Sequence, residues 1–265
     1  MTDRINDREI KICCATFYQS DLVRMLLGDI LHPGGLKLTG YLGTSVGLNN
    51  TDQVLDVACG RGASAVYLAK LFGCRVTGLD FGPDNIAAAE AYASAEGVSH
   101  LAAFRQGDAE RLPFEDSTFD VIISECSFCT FPQKTKAAQE MARVLRIGGR
   151  LGMTDITVSG PLPEDVQSLL SWVACVAGAG TPELYVSELK GAGFADFIVE
   201  DQRDSLLEMV NGVRLKLLGL EMAISLVRLK LGDLDLSRAK LIGQRILELI
   251  ENGIISYTLF RARKS

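Results

Sequence analysis

Val54-Leu-Asp-Val-Ala-Cys-Gly-Arg-Gly62 is the stretch from which the rest of the chain is read. An apolar run leads straight into a glycine-rich turn, the pattern of a buried strand that ends at a ligand. Gly60 and Gly62 carry no Cβ, so the backbone can bend tightly there and come close to a bound molecule. Asp80 closes the next run, Arg75-Val-Thr-Gly-Leu-Asp80, twenty positions after Gly60. An acidic side chain at that distance can hold both hydroxyls of a ribose.

Outward from this turn, short apolar runs alternate with amphipathic stretches. The spacing predicts strands at Gln53–Val57, Arg75–Asp80, 101–105, 119–124 and 150–155. It predicts helices at 64–72, 83–96 and 135–145, the second ending before Gly97 and the third closed by Gly148-Gly149. Strands alternating with helices specify an α/β, doubly wound sheet with its ligand at the carboxyl ends of the strands. Residues 1–50 read as a mostly helical cap broken by His32-Pro33-Gly34-Gly35, and 51–265 as the binding domain. Within that domain, helices are expected at 163–176 and 183–190. A helical insertion spans about 203–250, and a last strand is expected at 254–260. The apolar stretch 205–231 is expected to pack on the sheet or on a second subunit, so a homodimer is allowed for.

Composition narrows the function. The chain has 265 residues, 48% hydrophobic and 23% charged, enough for a sizeable core. A net charge of −6 argues against a nucleic-acid partner. Arg261, Arg263 and Lys264 form the only basic cluster, expected as a solvated tail. No apolar run approaches the roughly 18 residues of a membrane span. The charged N-terminus lacks the apolar core of a signal peptide, so a cytoplasmic location is expected. Seven cysteines, an odd number, are then expected to be reduced.

Two cofactor classes fit the turn. Gly60-x-Gly62-x-x-Ala65 also satisfies the dinucleotide fingerprint, which keeps a nicotinamide oxidoreductase in view. Charge separates them. Asp56 lies four positions before Gly60, and Asp108 follows in Gly107-Asp108-Ala109. Carboxylates suit a cofactor with ammonium and sulfonium charges and no phosphate, which describes S-adenosylmethionine.

With these motifs assembled, residues 50–158 resemble the class I S-adenosylmethionine-dependent methyltransferases. VLDVACGRG resembles their first motif, LDFGPDNIAAA their second, GDAERLPFEDSTFDVIIS their adenine-binding segment and fourth strand, and ARVLRIGGRL the turn before the fifth strand. The resemblance implies a mostly parallel, seven-stranded Rossmann-like sheet. It implies a cofactor site drawn from Thr39, Asp56, Cys59, Gly60, Gly62, Asp80, Phe81, Asp108, Ala109 and Ser124. Asp80 would meet the ribose, Phe81 and Asp108 the adenine, and Thr39 would close over the methionine end.

The methyl acceptor is a separate question. A hydroxyl acceptor needs a group to take its proton. The chain has two histidines, His32 in a turn sequence and His100 before a strand, although Asp and Glu can serve. The cysteines are the stronger lead. Cys13 and Cys14 lie in the N-terminal segment, Cys126 follows the fourth strand, and Cys175 follows the fifth. Thiolates bind soft centres such as trivalent arsenic, whose lone pair can accept a methyl group with no proton removed. The arrangement resembles arsenite methyltransferases over residues 10–200: IKICCA, ISECSF and CVAGAGTPELYVSELKGAGF carry the matching cysteines. The resemblance implies arsenic bound as substrate by Cys126, Cys175 and one of Cys13 and Cys14, no structural metal, and an external thiol reductant. The surroundings of the N-terminal cysteines and the long C-terminal helical stretch depart from that family. Cys59 and Cys74 read as packing residues. Cys129 pairs with Cys126 in a Cys-x-x-Cys, but with Cys13 and Cys14 this is not a usual zinc spacing. Two other functions stay open: methylation of another small molecule, such as a thiol, a selenium compound or a natural-product hydroxyl, and a non-catalytic metalloid sensor.

Overall fold

The computed structural model describes residues 7, 9, 11, 12, 16, 28, 30–162, 176, 178–227 and 236–265. After helix α1 (Gly35–Ser45), strands and helices alternate: β1 (Gln53–Val57), α2 (Ala63–Phe72), β2 (Arg75–Asp80), α3 (Pro83–Ala95) and β3 (Ala102–Gln106). The chain continues through β4 (Phe119–Glu125), α4 (Lys134–Val144), β5 (Leu145–Val158), α5 (Pro182–Gly191) and β6 (Phe194–Asp201). It ends with α6 (Arg203–Val227), α7 (Leu236–Glu251) and β7 (Ile255–Lys264). The strands form one seven-stranded sheet in the order β3-β2-β1-β4-β5-β7-β6. Every pair is parallel except those made by β7, which runs antiparallel to both β5 and β6. This is the doubly wound sheet expected from the alternation.

The central strands form because both their faces are covered. Val54, Leu55 and Val57 of β1, and Val121, Ile122 and Ile123 of β4, are fully buried. Near-continuous aliphatic runs are what a parallel strand flanked by helices requires. From β1 the chain winds outward to β2 and β3, then returns to β4 on the other side of β1. The connections diverge between β1 and β4, and that divergence opens a crevice at their carboxyl ends.

Three sequence expectations are corrected. Strand β6 was not anticipated: it is an edge strand, with Ile198 and Val199 exposed and no continuous apolar face. Strand β5 starts at Leu145 and runs through Gly148-Gly149, where a helix end and a turn were expected. Its pairing slips from Phe119 opposite Leu145 to Val121 opposite Arg150, so the glycines absorb a bulge. The basic C-terminus is strand β7 rather than a solvated tail. Arg261 pairs with Glu200 at 2.7 Å, and the Lys264 ammonium donates to the Leu145 carbonyl at 2.7 Å. The helix expected over 163–176 lies almost wholly outside the described residues. Among the described residues, no helix is long and apolar enough to cross a membrane.

Candidate functional site

The turn after β1 is held by β2. The Gly60 N–H donates to Asp80 Oδ2 at 2.9 Å, and the Gly82 N–H and Asn85 side chain donate to Oδ1 at 2.8 and 3.0 Å. Three donors thus converge on one carboxylate and fix it at the end of β2. Burial raises the Asp80 pKa, and those three donors counter part of the rise. Gly60 adopts a φ of 54°, the left-handed conformation the tight turn needs. Gly62 serves packing. A Cβ there would lie 2.8 Å from the Ala89 Cβ and 2.9 Å from the Phe104 ring.

A cavity opens where β1, β2 and β4 end. Of the residues singled out in the sequence, Asp56, Cys59, Gly60, Asp80, Phe81, Asp108, Ala109 and Cys126 line it. Thr39, Gly62 and Ser124 are not among the residues that line it. Thr39 is fully buried, and its hydroxyl donates to Glu125 Oε2 at 3.0 Å. Ser124 is fully buried against Ser127, their hydroxyls 2.7 Å apart. Cys59 is a packing residue on the wall: a Cβ on Gly78 would meet its sulfur at 2.8 Å. Burial, and then Asp56 and Asp80, push its thiol pKa well up.

The sequence reading missed a buried polar cluster. Ser64 Oγ donates to Glu125 Oε2 at 2.6 Å, beside the bond from Thr39. His32 Nε2 lies 3.2 Å from Ser64 Oγ and 3.7 Å from Glu125 Oε2. His32, Ser64 and Glu125 all line the cavity. The only sequence signals were positional: Glu125 precedes Cys126, and Ser64 lies in the first turn of the helix after the glycine turn.

The cavity wall is electrostatically uneven. Asp56 is 2% exposed, and its Oδ2 is buried without a hydrogen-bond partner among the described residues. Burial, then the carboxylates of Glu125 and Asp80, hold its pKa well above the usual carboxylate range. Across the cavity, Lys11 reaches from the N-terminal segment to Asp108 at 2.8 Å and Glu110 at 2.5 Å. Burial works against its charge, but the two carboxylates outweigh that and raise its pKa. Carboxylates at the floor with one orphaned oxygen fit a cationic ligand without phosphate, and so fit S-adenosylmethionine better than a pyrophosphate-bearing dinucleotide.

Cys126 sits beyond β4 with a φ of 53°, its N–H donating to the Thr154 carbonyl at 2.7 Å. That backbone turn brings it to the cavity wall. Cys129, three residues on, is buried, and its N–H donates to Asp155 Oδ2 at 3.0 Å. Gly178 packs on this loop. A Cβ on Gly178 would lie 2.2 Å from the Cys129 carbonyl oxygen, closer than any side chain permits. Gly178 is three positions after Cys175, which with Cys13 and Cys14 lies outside the described residues.

A family model for the "Methyltransferase domain" matches residues 48–202. The chain is 33% identical over 171 residues to a sarcosine/dimethylglycine N-methyltransferase of Halorhodospira halochloris, covering 64% of this chain and 61% of that protein. It is 34% identical over 146 residues to an arsenite methyltransferase of Halobacterium salinarum, covering 54% of this chain and 37% of that one. Among solved structures, the [4+2]-cyclase SpnF superposes with a TM-score of 0.79 at 20% identity, covering 98% of this chain and 96% of that one. The match to SpnF is a likeness of fold. The chain spans about half the length of the curated relatives it matches.

Proposed function

Because the chain belongs to the methyltransferase-domain family, we propose that it transfers a methyl group from S-adenosylmethionine to trivalent arsenic held by cysteine thiolates. The observation that carries the acceptor is Cys126, turned onto the wall of the carboxylate-lined cavity. Identity to an arsenite methyltransferase over 146 residues supports the same reading.

S-adenosylmethionine, when bound, supplies a methyl group on a positively charged sulfur, already a good leaving group. The chain's work is therefore mainly positioning. Asp80 receives the ribose while it holds the glycine turn in shape. Asp108 and Phe81 receive the adenine. Asp56 and Glu125 present carboxyl groups to the cavity. Cys126 binds arsenic, together with Cys175 and one of Cys13 and Cys14. Gly178, three positions after Cys175, closely approaches the Cys126–Cys129 loop, which supports Cys175 as a further ligand. The arsenic lone pair forms the new As–C bond, and the electrons of the broken C–S bond return to sulfur. Arsenic is thereby formally oxidised by two electrons, which an external thiol reductant returns while becoming a disulfide.

A second reading has its own observation. His32 and Glu125 line the cavity beside Ser64, a set able to take a proton from a small-molecule hydroxyl or ammonium acceptor. Incubation with arsenite, a thiol reductant and methyl-labelled donor separates the two. The arsenic reading expects methylated arsenic, a loss of at least about 100-fold in Cys126→Ser with donor binding kept, and near-normal turnover in His32→Gln. Wild-type arsenite turnover in Cys126→Ser would remove arsenic as the acceptor.

A further inference from the structure

Among the described residues, Asp56 is the one acidic group on the cavity wall that is buried and has an oxygen with no hydrogen-bond partner. It sits in β1, opposite Gly78 of β2 and Ile123 of β4. Neither neighbour brings it a counter-charge. The titratable groups that face it are Glu125 at the end of β4, Asp80 at the end of β2 and Cys59 in the glycine turn. All three carry, or can acquire, negative charge. The carboxylate of Glu125 is itself occupied by Ser64 and Thr39, with His32 alongside. Lys11 is committed to Asp108 and Glu110. No cation pairs with Asp56 among the described residues. Asp80 differs in that its three donors satisfy it as an anion. An aspartate buried among other acids, with no donor on its free oxygen, is most stable carrying a proton.

That arrangement has a consequence for a ligand whose charge changes in the reaction. The donor carries one more positive charge than the spent S-adenosylhomocysteine. We infer that Asp56 is the residue that distinguishes fresh donor from spent product: it holds a proton in the unliganded cavity, gives it up when the cationic donor enters, and keeps it when the product occupies the same place. The Asp56 O–H bond breaks, the proton passes to solvent, and the carboxylate left behind balances the cation. After methyl transfer the positive charge is gone, the carboxylate regains its proton, and the product is released from a cavity that no longer attracts it. This inference rests on the donor assigned above and adds what the chain does with the donor's charge.

The test is calorimetric titration of the wild-type chain with S-adenosylmethionine and, separately, S-adenosylhomocysteine, in two buffers of different ionisation enthalpy at neutral pH. The expected result is net proton release with the donor and markedly less with the product. Asp56→Asn should abolish the difference in proton release and narrow the donor-to-product affinity ratio about tenfold, chiefly by weakening the donor. Equal proton release by the two ligands, or a wild-type affinity ratio in Asp56→Asn, would overturn the inference. If Asp56→Asn does not fold, carbon-13 NMR of the wild type with labelled aspartate carboxyls reads the same event. A single protonated aspartate that ionises with the donor and not with the product supports the inference, and no such signal overturns it. If the wild type binds neither molecule, the donor assignment itself fails, a result distinct from binding both without discrimination.

Discussion

Asp80 lines the crevice, Gly178 packs against the Cys126–Cys129 loop, and the two are held in opposite ways. On the β1–β2 side, a carboxylate gathers two backbone N–H groups and an amide, so directional hydrogen bonds fix the turn. On the β4–β5 side, a glycine lets two backbones approach so closely that a single methyl group would collide with a carbonyl oxygen. The first side is specified by polar chemistry, which tolerates small movements as long as donors and acceptors still meet. The second is specified by excluded volume, which tolerates almost none. Under the proposed function, the difference is a division of labour: one side for a cofactor of fixed shape, the other for an acceptor that must be brought to it.

Gly178→Ala is the hardest blow to that division. The added Cβ would sit 2.2 Å from the Cys129 oxygen, so the backbone after β5 must move away from the Cys126 loop. Overpacking of this kind costs about 1–3 kcal/mol. The expected outcome is a fall of about 30-fold in arsenite methylation with donor affinity unchanged, because the Asp80 side does not touch Gly178. Steady-state turnover beside a donor titration checks it. A parallel loss of donor affinity would show that the two sides are one mechanical unit.

How much of this the sequence disclosed follows the same line. Strands β1 and β4 were readable because both their faces are buried, which forces aliphatic runs. The glycine turn and Asp80 were readable because their roles depend on spacing along one βαβ unit. Strand β6 was not, since an edge strand needs no such run, and Asp196 takes a φ of 54° within it. The Glu125 cluster was hidden for another reason. Thr39, Ser64 and His32 reach it across 86, 61 and 93 positions of chain, and no local pattern announces a contact at that range. The C-terminal arginines looked solvated because composition cannot show that Glu200 waits on the neighbouring strand.

Asp80→Asn sharpens the comparison from the other side, with a smaller effect. Asparagine keeps the shape but offers one oxygen in place of two, so one of the three donors faces an NH₂ group. A buried donor left in that state costs about 1–3 kcal/mol. Donor affinity is expected to fall about tenfold through the loosened turn, while any arsenic bound through Cys126 is unaffected. Direct titration of each ligand distinguishes this from a general loss of structure.

The smallest effect concerns stability without ligand, and its sign follows from Asp56. Burial among Glu125 and Asp80 raises its pKa in the folded chain above the unfolded value. A group raised in this way contributes stability that is fully present below its unfolded pKa. That contribution is lost as pH climbs through the raised folded pKa, because folding then has to retain a proton the unfolded chain has already released. Asp56→Asn has no proton to retain. Relative to wild type, the variant's melting temperature should be level near pH 4 and should rise above it progressively toward neutral pH, by about 4 °C for a gain of about 1–2 kcal/mol. Saturating donor should shrink that gap, since the entering cation stabilises the ionised aspartate in the wild type and not the amide. A variant less stable than wild type at every pH would mean that Asp56 is answered by a partner in the folded chain, and the contrast between a satisfied Asp80 and an unsatisfied Asp56 would fall with it.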